Sequence, residues 1–180
     1  MKKMLFPLLI ICFAMGCNNK KTGTSEKGKK NLESANAVAK MFETGDISKM
    51  DDYFAKDVVD HAGMNGDVVG IDSLKASFKI YQSMMKDAKN ETAKELADDD
   101  YTFQWFKESW TATKDEMGMK AGEKMSMNVV EVSRFNSDGK ITEHWSFLDV
   151  RDMMKMMGGA NAPMMDSVKT TKPVSMKMNK

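Results

Sequence analysis

Two ionisable side chains of this chain could perform acid–base chemistry without a cofactor: Asp149 and His61. Asp149 ends an alternating segment, residues 143–149, that is typical of a β-strand, and it shares one face of that strand with Trp145 and Phe147. If this face lines an apolar cavity, burial raises the pKa of Asp149 and makes it a better base toward a carbon-bound proton. The imidazole of His61 changes charge near neutral pH and could polarise a carbonyl group.

Each of these residues also has a structural interpretation. Asp149 lies where the predicted strand ends and a short helix begins, a position at which an aspartate often caps the helix. His61 precedes a glycine-rich loop and could tie that loop to the sheet by a hydrogen bond. Strand alternation places His144 on the face opposite Asp149, so we do not expect these two side chains to pair.

Aromatic side chains are the predicted walls of a ligand pocket, with ordinary core packing as the alternative for each of them. They are Tyr53, Tyr81, Trp105, Trp110, Trp145 and Phe147. We expect no cofactor, because the sequence has no P-loop, no dinucleotide-binding fingerprint and no Ser-His-Asp arrangement. We expect no metal site, because the two histidines are far apart in the sequence.

Methionine is unusually frequent, with 20 residues that concentrate at positions 117–127 and 153–157. Thioethers bind Cu(I), so a copper-binding protein is one alternative. Methionine is also a flexible filler of irregular apolar space, and neither histidine lies in a methionine cluster. We therefore favour a packing role.

The elements that must position these residues follow from the hydrophobic periodicity. Residues 31–44 have a helical period, a short helix follows around Met50, residues 58–61 form a short extended segment, and a third helix begins near Asp72. From Glu91 the period changes to two, which predicts strands at 92–97, 101–110, 125–135 and 141–150. Aromatic residues on both faces of the second strand predict a twist or a bulge near Trp105-Phe106.

Helices followed by strands predict an α+β fold, in which three N-terminal helices pack on a curved, mainly antiparallel sheet of about four long strands. Such a cone would enclose a pocket for a small hydrophobic molecule. The formal net charge of +1 gives no reason to expect nucleic-acid binding.

The N-terminal residues have the features of a secretory signal peptide: Lys2 and Lys3, then an uncharged apolar run that is too short to span a bilayer. The run ends in Ala14-Met15-Gly16-Cys17, which resembles the lipobox of bacterial lipoproteins. The resemblance implies cleavage before Cys17, attachment of lipid such as palmitate to its sulfur, and anchoring to a membrane of the bacterial cell envelope. The alternative is a plain signal peptide with an incidental cysteine.

We therefore predict four segments along the chain. Residues 1–17 form the signal peptide, 18–30 a flexible linker, 31–158 one folded domain and 159–180 a disordered tail. Besides Cys17, the only cysteine is Cys12 in the signal peptide, so the domain has no thiol for a disulfide or a nucleophile.

Several motifs in the predicted domain resemble those of SnoaL-like polyketide cyclases, a family within the nuclear-transport-factor-2-like superfamily. They are Val59-Asp60-His61, Trp110-Thr111-Ala112-Thr113, the hairpin segment 117–124, and Gly139-Lys140-Ile141-Thr142-Glu143-His144-Trp145 followed by Asp149. The resemblance implies a cone-shaped fold over residues 31–158 and an acid–base aspartate near the last strand. It also implies pairing of two copies through the open face of the sheet.

We expect from these observations a lipid-anchored protein that binds a small apolar or carbonyl-bearing molecule in its cone. Isomerase-like or cyclase-like acid–base chemistry could follow, with Asp149 as the base and His61 as the polarising group. The alternative from a different class is a non-enzymatic binding module or a homodimeric assembly module, and the sequence leaves this choice open.

Overall fold

A computed structural model of the chain describes residues 24–63 and 65–156. The predicted signal peptide with Cys17 and the predicted tail, residues 159–180, lie outside this range. No helix within the described residues is both long and apolar enough to cross a bilayer. The elements are α1 Glu26–Thr44, α2 Met50–Tyr53, β1 Phe54–Asp60, β2 Val68–Val69, α3 Ile71–Met84, β3 Met85–Ala97, β4 Tyr101–Ala112, β5 Lys124–Phe135, β6 Ile141–Leu148 and α4 Val150–Met156.

The predicted α+β fold, with helices packed on a curved sheet, is confirmed. The sheet has six strands rather than about four, in the order β2-β1-β6-β5-β4-β3. Strand β1 runs parallel to β6, whereas the other neighbouring strands are antiparallel, so the sheet is mixed. The sequence predicted β1 only as a short extended segment, because its pairing partner β6 lies about eighty residues further along the chain.

The first helix begins at Glu26, so it includes the last five residues of the predicted linker. The reason is a cap at Ser25, whose side-chain oxygen accepts a hydrogen bond from the backbone N–H of Gly28 at 2.9 Å. Gly28 also allows a close approach, because a Cβ atom at this position would lie 2.9 Å from the carbonyl oxygen of Asp98. The helix thus starts where it contacts the turn between β3 and β4.

Buried Asn31 attaches the same helix to this turn. Its side-chain Nδ2 donates to the carbonyl oxygens of Asp98 at 3.3 Å and Asp99 at 3.0 Å. Because both acceptors belong to the β3–β4 turn, these bonds hold α1 across the inner face of the sheet. The helix and the sheet then enclose the space between them.

The hydrophobic core consists of two clusters. One is built around Val58 and Ile141, both 0% exposed. The other contains Trp110, Met119 and Met127, which also line the cavity between helices and sheet, with further methionines packed against it. The methionines therefore fill irregular apolar space around the cavity.

The predicted irregularity near Trp105-Phe106 is confirmed, but the extra residue belongs to the neighbouring strand. Thr92 of β3 lies opposite Phe106, and Lys94 lies opposite Trp105, so β3 has a bulge between them. Strand β4 keeps its alternation, with Phe106 2% exposed on the inner face and Trp105 49% exposed on the outer face.

Candidate functional site

A cavity of about 420 Å³ lies between the helices α1 and α3 and the inner face of the sheet. Most of its wall is apolar, from Ala35, Val38, Phe42, Phe78 and Phe106 and from methionines 84, 85, 117, 119, 127 and 156. Its polar side chains include Asp60, Gln104, Glu108, Glu131, His144 and Ser146. An apolar hollow with a few polar groups is the usual form of a small-molecule site.

His144 joins two carboxylates inside this cavity. Its Nδ1 lies 2.9 Å from Asp60 Oδ1, and its Nε2 lies 2.7 Å from Glu131 Oε2. Asp60 is directly opposite His144 in the parallel β1–β6 pair, and Glu131 lies on β5, opposite Ser146. The Ser146 hydroxyl donates to Glu131 Oε1 at 2.9 Å. Both ring nitrogens of His144 therefore have an acidic partner, which fixes the orientation of the ring.

The electrostatics of this group favour charged forms. Burial by itself lowers the pKa of His144, but the Glu131 and Asp60 carboxylates raise it to about 10. Burial likewise tends to raise the pKa of Asp60, yet the hydrogen bond and the charge of His144 hold it below its ordinary value. The imidazole is thus a cation at neutral pH, and Asp60 is ionised.

Glu108 is a carboxyl group of a different kind. It lies on the inner face of β4 between Phe106 and Trp110. Burial and repulsion from Glu131 raise its pKa to about 8, against the opposing effect of the His144 charge. Within the described residues no hydrogen bond ends on the Glu108 carboxyl, so it is available to a ligand. A carboxylic acid with a pKa near neutrality is suited to proton transfer.

The charged group of Asp60, Glu131 and His144 is not arranged as a metal site. The two carboxylates contact different nitrogens of the ring and so approach it from different directions. Among residues 24–63 and 65–156, no group of three or more His, Cys, Asp or Glu side chains is placed to hold a metal ion.

Asp149 lies outside this cavity, in a shallow groove with Trp105 and Phe147. Its carboxylate accepts hydrogen bonds from the backbone N–H of Arg151 at 2.9 Å and from the Arg151 guanidinium at 2.8 Å, and these bonds lower its pKa to about 2. Asp149 immediately precedes α4, so its geometry matches the helix-cap interpretation.

The predicted role of Asp149 as a base required the face of β6 with Trp145 and Phe147 to line the cavity. In the structure the opposite face of β6 points inward. His144 and Ser146 line the cavity, whereas Trp145 and Phe147 do not. The reason is the pairing with β1, which places Asp60 beside His144 and sets the orientation of the whole strand. As predicted from alternation, His144 does not pair with Asp149.

His61 also lies outside the cavity. Its ring stacks on Trp145 with centroids 4.9 Å apart, and its Nδ1 is 3.0 Å from Asp67 Oδ1. Asp67 belongs to the glycine-rich loop between β1 and β2, so His61 ties this loop to the sheet. This geometry agrees with the structural interpretation rather than with a ligand-polarising one.

The six predicted pocket aromatics divide into three groups. Tyr81 and Trp110 line the cavity, and Tyr53 packs against the core cluster around Val58 and Ile141. On the outer face of the sheet, Trp105 and Phe147 are 49% and 57% exposed, and Trp145 lies against His61. The alternation of side chains along β4 and β6 correctly assigned these residues to two faces. The hydrophobicity of the faces did not indicate which of them points toward the cavity.

Sequence reasoning missed the polar group of Asp60, Glu108, Glu131 and His144. Two signals for it were present. Glu108 shares a strand face with Phe106 and Trp110, and Glu131 interrupts the apolar run 129–132. A lone carboxylate on an apolar face indicates a buried ionisable group, and such groups concentrate at functional sites.

Residues 33–157 match the family of SnoaL-like polyketide cyclases. The chain belongs to this family. The predicted resemblance is thereby confirmed at the level of family and fold. Among curated proteins, none matches the chain significantly.

Solved structures of the same fold come from several bacteria. IdmH, a proposed polyketide cyclase from Streptomyces antibioticus, is 21% identical, with 71% of this chain and 98% of that chain covered and a TM-score of 0.59. A proposed SnoaL-like polyketide cyclase from Jannaschia sp. CCS1 is 13% identical, with 78% and 99% covered and a TM-score of 0.66. An LEH-like epoxide hydrolase from Mycobacterium tuberculosis is 14% identical, with 73% and 91% covered and a TM-score of 0.59. At these identities the likeness concerns the fold alone.

The raised pKa of Glu108 predicts a specific pH dependence of stability. The folded protein binds this proton more tightly than the unfolded chain, so stability falls as the pH rises from about 4.5 to about 8. We expect Glu108→Gln to remove this loss, so that the free energy of unfolding of the variant exceeds that of the wild type by up to about 4 kcal/mol at pH 8 but not at pH 4.5. Urea unfolding across this range measures the difference.

The exposed Glu91, on β3, provides the matched control, because Glu91→Gln should leave the pH profile unchanged. The raised pKa of His144 contributes stability that is also lost as the pH rises, but only above about pH 6.5. The interval from pH 4.5 to 6.5 therefore reports on Glu108 apart from His144. A constant difference between Glu108→Gln and the wild type over this interval contradicts the assignment.

Proposed function

We propose that this protein binds a small, mostly apolar carbonyl compound in its cavity and catalyses a cofactor-free proton transfer, as in an isomerisation or a ring closure. The observation that carries the proposal is Glu108, a carboxyl group without a protein hydrogen-bond partner among the described residues, whose pKa is raised to about 8 in an apolar cavity. Such a group is mostly protonated at pH 7 and can still release its proton.

The neighbouring charges support this chemistry. Glu108 in its acid form can donate to a carbonyl oxygen of the ligand, and its carboxylate can accept a proton in a later step. The His144 cation lies on the same inner face between two carboxylates, and the repulsion from Glu131 outweighs its charge at Glu108, so this group keeps Glu108 in its acid form. Because both nitrogens of His144 already contact carboxylates, its contribution is electrostatic rather than a hydrogen bond to the ligand.

Proton transfer can be measured with a model compound, 2-tetralone, whose protons next to the carbonyl exchange with deuterium. We expect the wild type to accelerate this exchange at pH 7 and Glu108→Gln to lower the protein-dependent rate at least about tenfold. Asp149→Asn should retain the full rate, because Asp149 lies outside the cavity. Proton NMR follows the loss of the signal, with the unfolded protein as background.

The pair of variants separates the two assignments. A rate that depends on Asp149 and not on Glu108 would restore the aspartate as the base and overturn the role of Glu108. A wild-type rate equal to the background would overturn the proposed proton transfer for carbonyl compounds of this size.

A homodimer is the second candidate function, and the outer face of the sheet favours it. Two neighbouring rows of apolar side chains cross this face, one from β3 to β6 and the other from β4 to β6. They are Leu96, Phe103, Val132 and Trp145 in one row, and Trp105, Val130 and Phe147 in the other. Leu96, Phe103, Trp105 and Phe147 are each 45–58% exposed. An apolar surface of this kind is typical of a protein interface.

A charge in the centre of this face should prevent the association. We expect the wild type to sediment as a dimer at micromolar concentration and Trp105→Lys to sediment as a monomer. The control is Ile80→Lys on α3, at a site with similar exposure of 52% but away from the sheet. A monomeric wild type contradicts the proposal, as does a Trp105→Lys variant that still sediments as a dimer.

We also propose that lipid on Cys17 anchors the domain to a membrane of the cell envelope, with residues 18–25 as the connection. The support is the sequence pattern of Lys2, Lys3, the apolar run and the segment that ends in Cys17. The cavity would then lie on the periplasmic or the surface side of that membrane.

The two cysteines offer a matched pair of variants for this proposal. We expect Cys17→Ser to move the protein from the membrane fraction to the soluble fraction of a bacterial host, because a lipid chain supplies the attachment. Cys12→Ser should remain in the membrane fraction, because Cys12 lies within the predicted signal peptide. Fractionation with immunodetection measures both, and a membrane-bound Cys17→Ser protein contradicts the proposal.

A further inference from the structure

The indole of Trp110 is a buried hydrogen-bond donor without a protein acceptor. Trp110 is 7% exposed and lines the cavity, and its Nε1 has no partner within residues 24–63 and 65–156. Its packing neighbours include Met119, Met127 and Val129, which offer no good acceptor. A buried N–H group without a partner costs about 1–3 kcal/mol, so its retention indicates a partner from outside the chain.

A second unpaired atom lies close by, on Asn90. The Nδ2 of Asn90 donates to the carbonyl oxygen of Ala39 at 3.2 Å, and its backbone N–H donates to Glu43 Oε1 at 2.8 Å. Because Nδ2 must face the Ala39 carbonyl, the side-chain oxygen faces away from α1. This Oδ1 is buried, and no donor in the described part of the chain reaches it.

The sheet brings these two groups to the same part of the cavity wall. Asn90 on β3 lies directly opposite Glu108 on β4, and Trp110 follows Glu108 by two residues on the same strand face. All three residues line the cavity. One unpaired acceptor therefore lies across the strand pair from Glu108, and one unpaired donor lies at the next inward-facing position along β4.

We propose that Trp110 Nε1–H and Asn90 Oδ1 form a polar subsite for one end of the ligand. The indole donates to a carbonyl oxygen, and the Asn90 oxygen accepts from an N–H or O–H group beside it. The ligand class is thus an apolar molecule that ends in a carbonyl group with an adjoining donor, as in a primary carboxamide or a carboxylic acid in its neutral form. The inference rests on the proposed ligand-binding function, and it places the carbonyl group next to Glu108.

Three probes of nearly equal shape test this subsite: 2-naphthamide, 2-acetonaphthone and 2-isopropenylnaphthalene. The first offers an acceptor and a donor, the second an acceptor only, and the third neither. We expect Trp110→Phe to weaken binding of the amide and the ketone about fivefold to tenfold and to leave binding of the hydrocarbon unchanged. Isothermal titration measures the three affinities.

Trp105→Phe is the matched control, because Trp105 lies half-exposed on the outer face of the same strand. This variant should bind all three probes as the wild type does. Trp110→Phe removes the buried N–H together with the five-membered ring of the indole, so the comparison between the three probes, rather than the stability of the variant, reports on the hydrogen bond. Equal weakening of all three probes in Trp110→Phe would show loss of packing alone and overturn the subsite.

Nitrogen-15 NMR measures the chemical shift of each indole N–H, and comparison of the probes separates a hydrogen bond from a change in packing. The chain has three tryptophans, and Trp→Phe variants assign their indole signals. We expect the Trp110 N–H proton to shift downfield when the amide or the ketone binds, but not when the hydrocarbon binds. An unchanged Trp110 signal with bound ketone overturns the role of the indole.

The role of Asn90 is measured by the preference for the amide over the ketone. We expect Asn90→Leu to remove this preference while Trp110→Phe retains it. Because Asn90 also forms hydrogen bonds with α1, Asn90→Leu could fail to fold. In that case the ratio of amide and ketone affinities for Trp110→Phe serves as the second measurement. The reference is the ratio of the partition coefficients of the amide and the ketone between buffer and octanol. If the ratio of their binding affinities for Trp110→Phe equals this reference, the Asn90 contact is overturned. Failure of all three probes to bind the wild type would instead overturn ligand binding itself, which distinguishes the two proposals.

Discussion

The contact of His144 with Asp60 on one side and Glu131 on the other organises the interior of this protein. Isolated charges in an apolar cavity are very costly, and a cation between two carboxylates is a way to keep all three ionised. The contact joins β1, β6 and β5, three neighbouring strands of the sheet. It thereby links the polarity of the cavity to the correct pairing of strands that are far apart in the sequence.

This charged group also explains the unusual state of Glu108. A carboxyl group that faces the same interior meets the negative charge of Glu131 and an apolar wall, and both disfavour its ionisation. Asp60 and Glu108 thus have different protonation states at neutral pH, because Asp60 contacts the imidazole and Glu108 does not. A separation of this kind is what acid–base chemistry in a water-poor site requires.

The apolar residues divide between two tasks. Methionines and phenylalanines form a deformable wall around the cavity, whereas the aromatic rows on the outer face remain half-exposed. Trp110 combines both properties, because its ring packs among methionines while its N–H group lies in the cavity wall without a protein acceptor among the described residues. Polar atoms of this kind give an apolar cavity the means to select the orientation of a ligand.

Local patterns in the sequence were sufficient for the α+β class, for the three leading helices, for the existence of the four long strands and for the irregularity near Trp105. These features depend on periodicity and on residues close together in the chain. Local patterns did not give the full length of β3, which begins at Met85, seven residues before its predicted start. The start of α1 was missed by five residues, because Gly28 and Asn31 are fitted to a turn some seventy residues away.

The tertiary structure alone decided which face of each strand points inward. Alternation correctly sorted the residues of β6 into two sets, but an aromatic set and a polar set are both compatible with either side of an open sheet. Parallel pairing with β1, which periodicity does not reveal, turned His144 inward toward Asp60 and left Trp145, Phe147 and Asp149 outside the cavity. The sequence by itself therefore determined the elements and their order, whereas long-range strand register determined the site, because a cluster of charges can be buried only where distant strands bring opposite charges together.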